Sequence, residues 1–228
     1  MTGDCKGVEQ PNASGQHVLS APYQRKLRAI WLQCSACHGR CYVTSHVTQS
    51  THWVSRRATD AKLMQNMGDV THRSLKDWDE TAWDRLMAIN LKGPFFLIQS
   101  LLPLFVDPSS VILCGSTSAH IGLPQSSAYA ASKAGLLSLA RTLSSELVSR
   151  GIRINVLSPG PTETPALGKL GLPPQQLGAM QEQIRKLVPI GRMGTPWEPA
   201  MAAVFLAGDE SRFVVGTELL VDGGVANL

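Results

Sequence analysis

Residues 109–157 read SSVILCGSTSAHIGLPQSSAYAASKAGLLSLARTLSSELVSRGIRINVL. This stretch divides into three parts. Ser110–Cys114 is a short apolar run bounded by Pro108 and Gly115, the pattern of a strand buried on both faces. Ala128–Arg150 has the period of a long helix and is ended by Gly151. Ile152–Leu157 is a second apolar strand. Strand, helix and strand in that order predict a βαβ unit, and so a parallel sheet covered by helices.

The same rhythm continues outward. Lys62–Gln65 reads as a short strand, and Asp77–Ile89 as a helix whose acidic start suits the positive end of the helix dipole. Leu91–Phe105 reads as a mostly apolar, buried helix. Beyond the central unit, Pro173–Leu187 and Trp197–Ala207 read as helices and Glu218–Val221 as a final strand. The expected fold is α/β, a Rossmann-like doubly wound parallel sheet, with residues 60–228 as its catalytic portion. Residues 1–59 have no such rhythm. Leu27–Gln33 and Tyr42–Val54 are strand candidates by propensity alone. One structural domain is expected overall.

Composition separates the same two regions. The chain has 228 residues, 43% hydrophobic and 17% charged, which excludes wholesale disorder. Its net charge of +4 is accounted for before residue 61, where Lys6, Arg25, Lys26, Arg28, Arg40, Arg56 and Arg57 face only Asp4, Glu9 and Asp60. The remainder is neutral, so no basic surface for nucleic acid is expected. Cys5, Cys34, Cys37 and Cys41 also fall in this segment, leaving Cys114 as the fifth cysteine. An odd count without a secretory apolar segment argues against a disulfide framework. No unbroken apolar run reaches the length of a spanning helix, so no membrane partner is expected and the location expected is cytoplasmic.

Tyr129 and Lys133 lie four residues apart on the long helix and so share a face. A free phenol ionises near ~10, and an adjacent ammonium favours the phenolate. Ser116 follows the strand Ser110–Cys114, at the edge where parallel sheets place ligands, and its hydroxyl can donate to a substrate carbonyl. Without Ser116, the pair would read as a core tyrosine beside a solvent lysine.

These residues resemble the active-site motif of the short-chain dehydrogenase/reductase family: Ser116, then Tyr129-Ala130-Ala131-Ser132-Lys133. Further matches follow in order. Asn66-Met67-Gly68 resembles the family's Asn-Ala-Gly motif, and Asn90 in MAINLKG its helix asparagine. Ser158 to Thr164 (SPGPTET) resembles the loop covering the nicotinamide, and Gly191–Pro196 and Val221–Gly224 its C-terminal motifs.

The resemblance implies NAD- or NADP-dependent carbonyl reduction or alcohol oxidation on a small substrate. Tyr129 would exchange the proton, Lys133 would lower the Tyr129 pKa and hold the nicotinamide ribose, Ser116 would orient the carbonyl, and Asn90 would maintain a water relay. Asn66, Gly68, Tyr129, Lys133, Pro159, Gly160, Thr162 and Thr164 would contact the cofactor. No metal is implied. The helices around Leu91–Leu102 and Ala128–Gly135 would pair across a homodimer or homotetramer interface.

The chain departs from the family at its start. The family opens with a strand and a glycine-rich turn, whose backbone approaches the pyrophosphate at a helix N-terminus. The nearest match, Thr2-Gly3-Asp4-Cys5-Lys6-Gly7-Val8-Glu9, ends in a carboxylate, and Pro11 and Gly15 interrupt the helix that should follow. The residue that would choose NAD or NADP is unassignable, and dinucleotide binding stays open. Cys34, Cys37 and His38 match a haem-attachment spacing and could suggest zinc; chance within a Cys- and His-rich segment explains them as well. The composition break fits a segment read in a shifted frame or replaced by splicing. The alternative function is a family-derived chain without dinucleotide binding, serving as an inactive subunit or interaction partner.

Overall fold

A computed structural model describes residues 51–57, 60–66, 68–105, 107–163 and 173–228. The strands are β1 (Thr51–Arg57), β2 (Asp60–Asn66), β3 (Ser109–Cys114), β4 (Ile152–Pro159) and β5 (Glu218–Val221). The helices are α1 (Glu80–Met87), α2 (Gly93–Leu101), α3 (Ser127–Leu147), α4 (Pro174–Leu187) and α5 (Trp197–Ala207). The strands hydrogen-bond in chain order. From β2 to β5 the sheet is parallel, while β1 pairs antiparallel with β2. The Rossmann-like α/β fold is therefore present, with one strand of reversed polarity that the expected all-parallel sheet did not include.

Register explains the apolar runs. Leu63, Val111 and Ile154 align across three strands, and Leu113 aligns with Val156. These residues pack against Ile98 of α2 and Leu136, Ala140 and Leu143 of α3. The alternate positions Met64, Ile112 and Leu157 face the other way, against Ala203 and Leu206 of α5. With both faces covered, the strands need no polar alternation.

Buried polar side chains fix the edges of these layers. Ser144 of α3 donates to the Ile154 carbonyl at 2.8 Å and accepts from the Ile154 N–H at 3.1 Å, joining helix to strand. The Asn155 amide donates to the Val214 carbonyl at 2.9 Å and accepts from the Thr217 N–H at 3.1 Å, setting where β5 starts. Gly151, with φ 68, ends the turn after α3 in a left-handed conformation that suits glycine.

Most expected elements lie within a few residues of their predicted bounds, and those of α5 and β5 coincide with them. Of the expected strand Tyr42–Val54, residues 51–54 fall in β1, which runs on to Arg57 rather than ending at Val54. Residues 42–50 and Leu27–Gln33 lie outside the described residues. β1 also covers the edge of β2 that would otherwise be exposed.

The expected break between the helices Asp77–Ile89 and Leu91–Phe105 does not occur. A π turn at Ala88–Lys92 carries α1 into α2, where Pro94 lacks the N–H that an unbroken α ladder requires. The helical run Glu80–Leu104 has 25 residues and reaches a mean hydropathy of 1.2 in its most apolar window, enough by length and composition to cross a membrane. No such segment was expected. Leu86, Asn90, Pro94 and Ile98 of this run are buried in the fold.

Gly160 follows β4 and donates to the Val221 carbonyl at 3.0 Å. A Cβ there would lie 2.6 Å from the Asp222 Cα, so the backbones of residues 160 and 222 could not keep their approach. Gly160→Ala is expected to lower stability by about 1–3 kcal/mol, read as a lower urea midpoint. An unchanged midpoint would remove this packing role.

Candidate active site

The carboxyl ends of β2, β3 and β4 converge on the first turns of α3, the edge of a parallel sheet where ligands bind. Lys133 is 2% exposed, and its Nζ donates to the Cys114 carbonyl, the last of β3, at 2.7 Å. Nζ lies 5.7 Å from the centroid of the Tyr129 ring. Burial pulls the Lys133 ammonium below its usual range, opposed by the nearby Cys114.

Ser116 leaves β3 in an extended conformation. Its Oγ accepts from the Ser118 N–H at 3.2 Å. Burial pushes the Tyr129 pKa up to about 12; the nearby Ser116 hydroxyl opposes this and Cys114 adds to it. The expectation that Lys133 lowers the phenol is thus not met in this geometry. Desolvation is the largest influence, and the lysine is drawn to the Cys114 carbonyl.

Asn90 is fully buried. The π turn places it so that Oδ1 accepts from the Asp69 N–H at 2.7 Å, while Nδ2 donates to the Asp69 carbonyl at 2.9 Å and to Ser132 Oγ at 3.0 Å. Ser132 in turn donates to the Tyr129 carbonyl at 2.7 Å. Asn90 therefore clamps the chain after Gly68 and the α1–α2 run onto the turn of α3 that carries Tyr129. This makes its side chain a positioning group.

Gly68 lies beside Lys133, where a Cβ would meet Nζ at 3.7 Å. Asn66 ends β2 and pairs with Thr51; only its backbone is described. Pro159 ends β4, and Thr162 Oγ1 donates to the Gly160 carbonyl at 3.0 Å. The Gly191–Pro196 motif supports this loop. The Gly194 N–H donates to the Pro161 carbonyl at 2.9 Å, and the Glu163 N–H donates to the Gly194 carbonyl at 2.8 Å. Arg192 forks onto Glu198 at 2.7 and 2.9 Å, and this pairing brings the Glu198 carboxyl down to about 2. Thr164, Met67 and Cys34, Cys37 and His38 lie outside the described residues.

Three contributors were not identified from sequence. Asp69 is the partner of Asn90, and its position directly after Gly68 was the available signal. The Cys114 carbonyl holds Lys133, a backbone role that sequence does not display. His72 sits with its ring centroid 5.6 Å from that of Tyr129, its Nδ1 2.8 Å from Ser126 Oγ. Just before it, Gln125 has φ 66, an uncommon conformation for a residue with a Cβ, and its carbonyl accepts from the Arg73 N–H at 3.0 Å. His120 is exposed and pairs with Glu218 at 2.8 Å.

The hydroxyls of Tyr129 and Thr162 and the amine of Lys133 are the donors that a ribose and a carboxamide require. The nicotinamide end of a cofactor therefore has candidate holders. No glycine-rich turn on a parallel strand beside β2 is found among the described residues, and none holds three or more potential ligands grouped for a metal.

Known proteins agree with this architecture. A family model described as enoyl-(acyl carrier protein) reductase matches residues 55–226. The 2-(S)-hydroxypropyl-CoM dehydrogenase 3 of Xanthobacter autotrophicus is 34% identical over 170 residues, 72% of this chain and 65% of the relative. The 3-oxoacyl-[acyl-carrier-protein] reductase FabG of Thermotoga maritima is 36% identical over 165 residues, again 72% and 65%. The crystal structure of an angucycline C-6 ketoreductase with bound NADP superposes with a TM-score of 0.66 at 28% identity, covering 72% of this chain and 62% of that one. The chain thus spans 65% of the length of these two curated relatives. The matched span includes each residue that builds the site, and the chain belongs to the short-chain dehydrogenase/reductase family.

Proposed function

We propose that this chain carries the proton-transfer site of a nicotinamide-dependent oxidoreductase, interconverting a small carbonyl compound and its alcohol. The observation that carries this reading is the half-buried Tyr129 phenol beside Ser116, with the buried Lys133 amine one helical turn away. The relatives' names and the NADP in a solved neighbour support the reaction class and the cofactor class.

When bound, the nicotinamide supplies or accepts a hydride. The chain's own groups do the rest. Ser116 donates to the carbonyl oxygen and favours the charge that develops there. Tyr129, held protonated by burial, is a ready acid for that oxygen. A protonated Lys133 stabilises the phenolate left behind. Asn90 and Ser132 hold the Tyr129 backbone in place. A water relay from Asn90 to Lys133 is part of the reading as an addition to that clamp.

The exposed Phe95 and Phe96 of α2 border a groove of about 580 Å³ that also takes in Leu91, Gly135, Ser138 and Thr142. Small residues on α3 there permit close helix approach, so we assign this face to pairing with a second copy. Phe95→Glu should shift the protein to monomer on gel filtration, and an unchanged elution volume would refute the assignment. A second functional reading, an inactive subunit, draws on the reversed polarity of β1.

Tyr129→Phe is expected to reduce carbonyl turnover by about 10²–10⁴-fold at an unchanged melting temperature. The acid form of Tyr129 persists up to about 12. Carbonyl reduction should therefore be flat across neutral pH and fall only as that value is approached. Alcohol oxidation, which needs the phenolate, should rise with pH. Turnover retained in Tyr129→Phe would remove the phenol from the mechanism.

A further inference from the structure

The His72 ring stands beside the Tyr129 ring, and the proposed reaction gives it no part. The two ring centroids are 5.6 Å apart, with the planes tilted by 59°. His72 Nδ1 is 2.8 Å from the Oγ of Ser126, a buried residue that directly precedes α3. Ser126 comes three residues before Tyr129, so both contacts of the imidazole are to the same helical turn. His72 is exposed, and its Nε2 has no hydrogen-bond partner among the described residues.

The segment that carries this ring is tied down on both sides of it. Before it, the N–H and the hydroxyl of Thr71 both donate to Asp69 Oδ1, the N–H at 2.9 Å. Asp69 is in turn held by Asn90. After it, the Arg73 N–H donates to the Gln125 carbonyl at 3.0 Å, and the Trp78 indole N–H donates to the Arg73 carbonyl at 3.2 Å. A ring fixed in this way loses little freedom when a ligand binds it, which is what a recognition group requires.

The contact at Nδ1 decides what Nε2 can do. In a neutral imidazole one ring nitrogen donates and the other accepts. If Ser126 donates to Nδ1, Nε2 is the donor; if Nδ1 donates to Ser126, Nε2 is the acceptor. A hydroxyl serves either case, whereas a carbonyl or ether oxygen serves only the first. A carboxylate would call for a cation. Arg73, the adjacent residue, pairs instead with Asp79 at 3.0 Å and lies over the Trp78 ring, and Arg85 is turned to Asp69 at 3.6 Å. We propose that His72 Nε2 binds a hydroxyl of the substrate while Tyr129 and Ser116 take its carbonyl oxygen. The substrate class is then an α-hydroxy carbonyl compound, with a vicinal diol as its reduced form. This rests on the proposed roles of Tyr129 and Ser116. With ring centres 5.6 Å apart, one small molecule can touch both rings, and the carbon next to the carbonyl is the nearest that can carry the second oxygen. His72 transfers no proton in this reading; it sets specificity.

The test measures kcat/KM of the full chain, with NADH and with NADPH, on matched ketones: hydroxyacetone against acetone, 3-hydroxy-2-butanone against 2-butanone, and 2-hydroxycyclohexanone against cyclohexanone. The quantity read is the ratio of the hydroxylated ketone to its partner. Comparing that ratio between proteins cancels the intrinsic reactivity of the two ketones. His72→Phe keeps an aromatic ring against Tyr129 and should lower the ratio about tenfold, the loss of one neutral hydrogen bond. His72→Ala should lower it equally, so a folding failure of one variant leaves the other. If His72 only props the loop, both ketones slow together and the ratio stays as it was. An unchanged ratio would overturn this inference and leave the proposed function standing. No turnover of any of these ketones by the unaltered chain would overturn both.

Discussion

The site depends on a lysine amine that has almost no access to water. Lys133 is 2% exposed, and its Nζ reaches the Cys114 carbonyl at 2.7 Å. A buried amine without a partner is costly, so the hydrogen bond and the burial must form together. That requirement ties the end of β3 to the second turn of α3. The same tie brings Ser116, two residues beyond Cys114, to the phenol of Tyr129, one turn before Lys133. One polar contact therefore sets three reactive groups at the carboxyl edge of the sheet.

The surrounding structure holds this contact in register. Ser144 anchors α3 to β4 through both the N–H and the carbonyl of Ile154. Asn90 fastens the Tyr129 turn to the loop after Gly68 through Asp69 and Ser132. Thr162 and its loop rest on Gly194, whose own segment is braced by the Arg192–Glu198 fork. The expected reactive residues and the C-terminal motifs thus act as two walls of one edge, joined by β3 and β4. Gly160 belongs to this framework through its close approach to Asp222, whatever else it contacts.

The sequence made the parallel core legible because its signals are local. An apolar run between turn residues marks β3, and glycine after a long helical period marks the end of α3. Tyr129, Lys133 and Ser116 were legible from helix spacing and from their place after a strand. What was not legible depends on partners distant in sequence. The π turn forms where Pro94 interrupts the ladder and Asn90 finds Asp69, 21 residues away. Strand propensity in Thr51–Val54 carries no information on direction, so the antiparallel pairing of β1 could not be read. The direction of the Tyr129 shift depends on how deeply the phenol is buried, and neighbouring lysine in the sequence suggested the opposite.

These constraints describe a chain in which the carboxyl edge of β2, β3 and β4 brings Ser116, Tyr129 and Lys133 together, while β1 beside it has reversed polarity. The most direct test of the account is the ionisation of Lys133 in the folded protein, followed by NMR of lysines labelled with ¹³C at Cε across a pH series. The account predicts that one of the eight lysines in the chain titrates below the others, and that this signal is missing in Lys133→Met. All eight titrating together in the ordinary lysine range would show that Lys133 is solvated, and would contradict the buried contact on which the site is built.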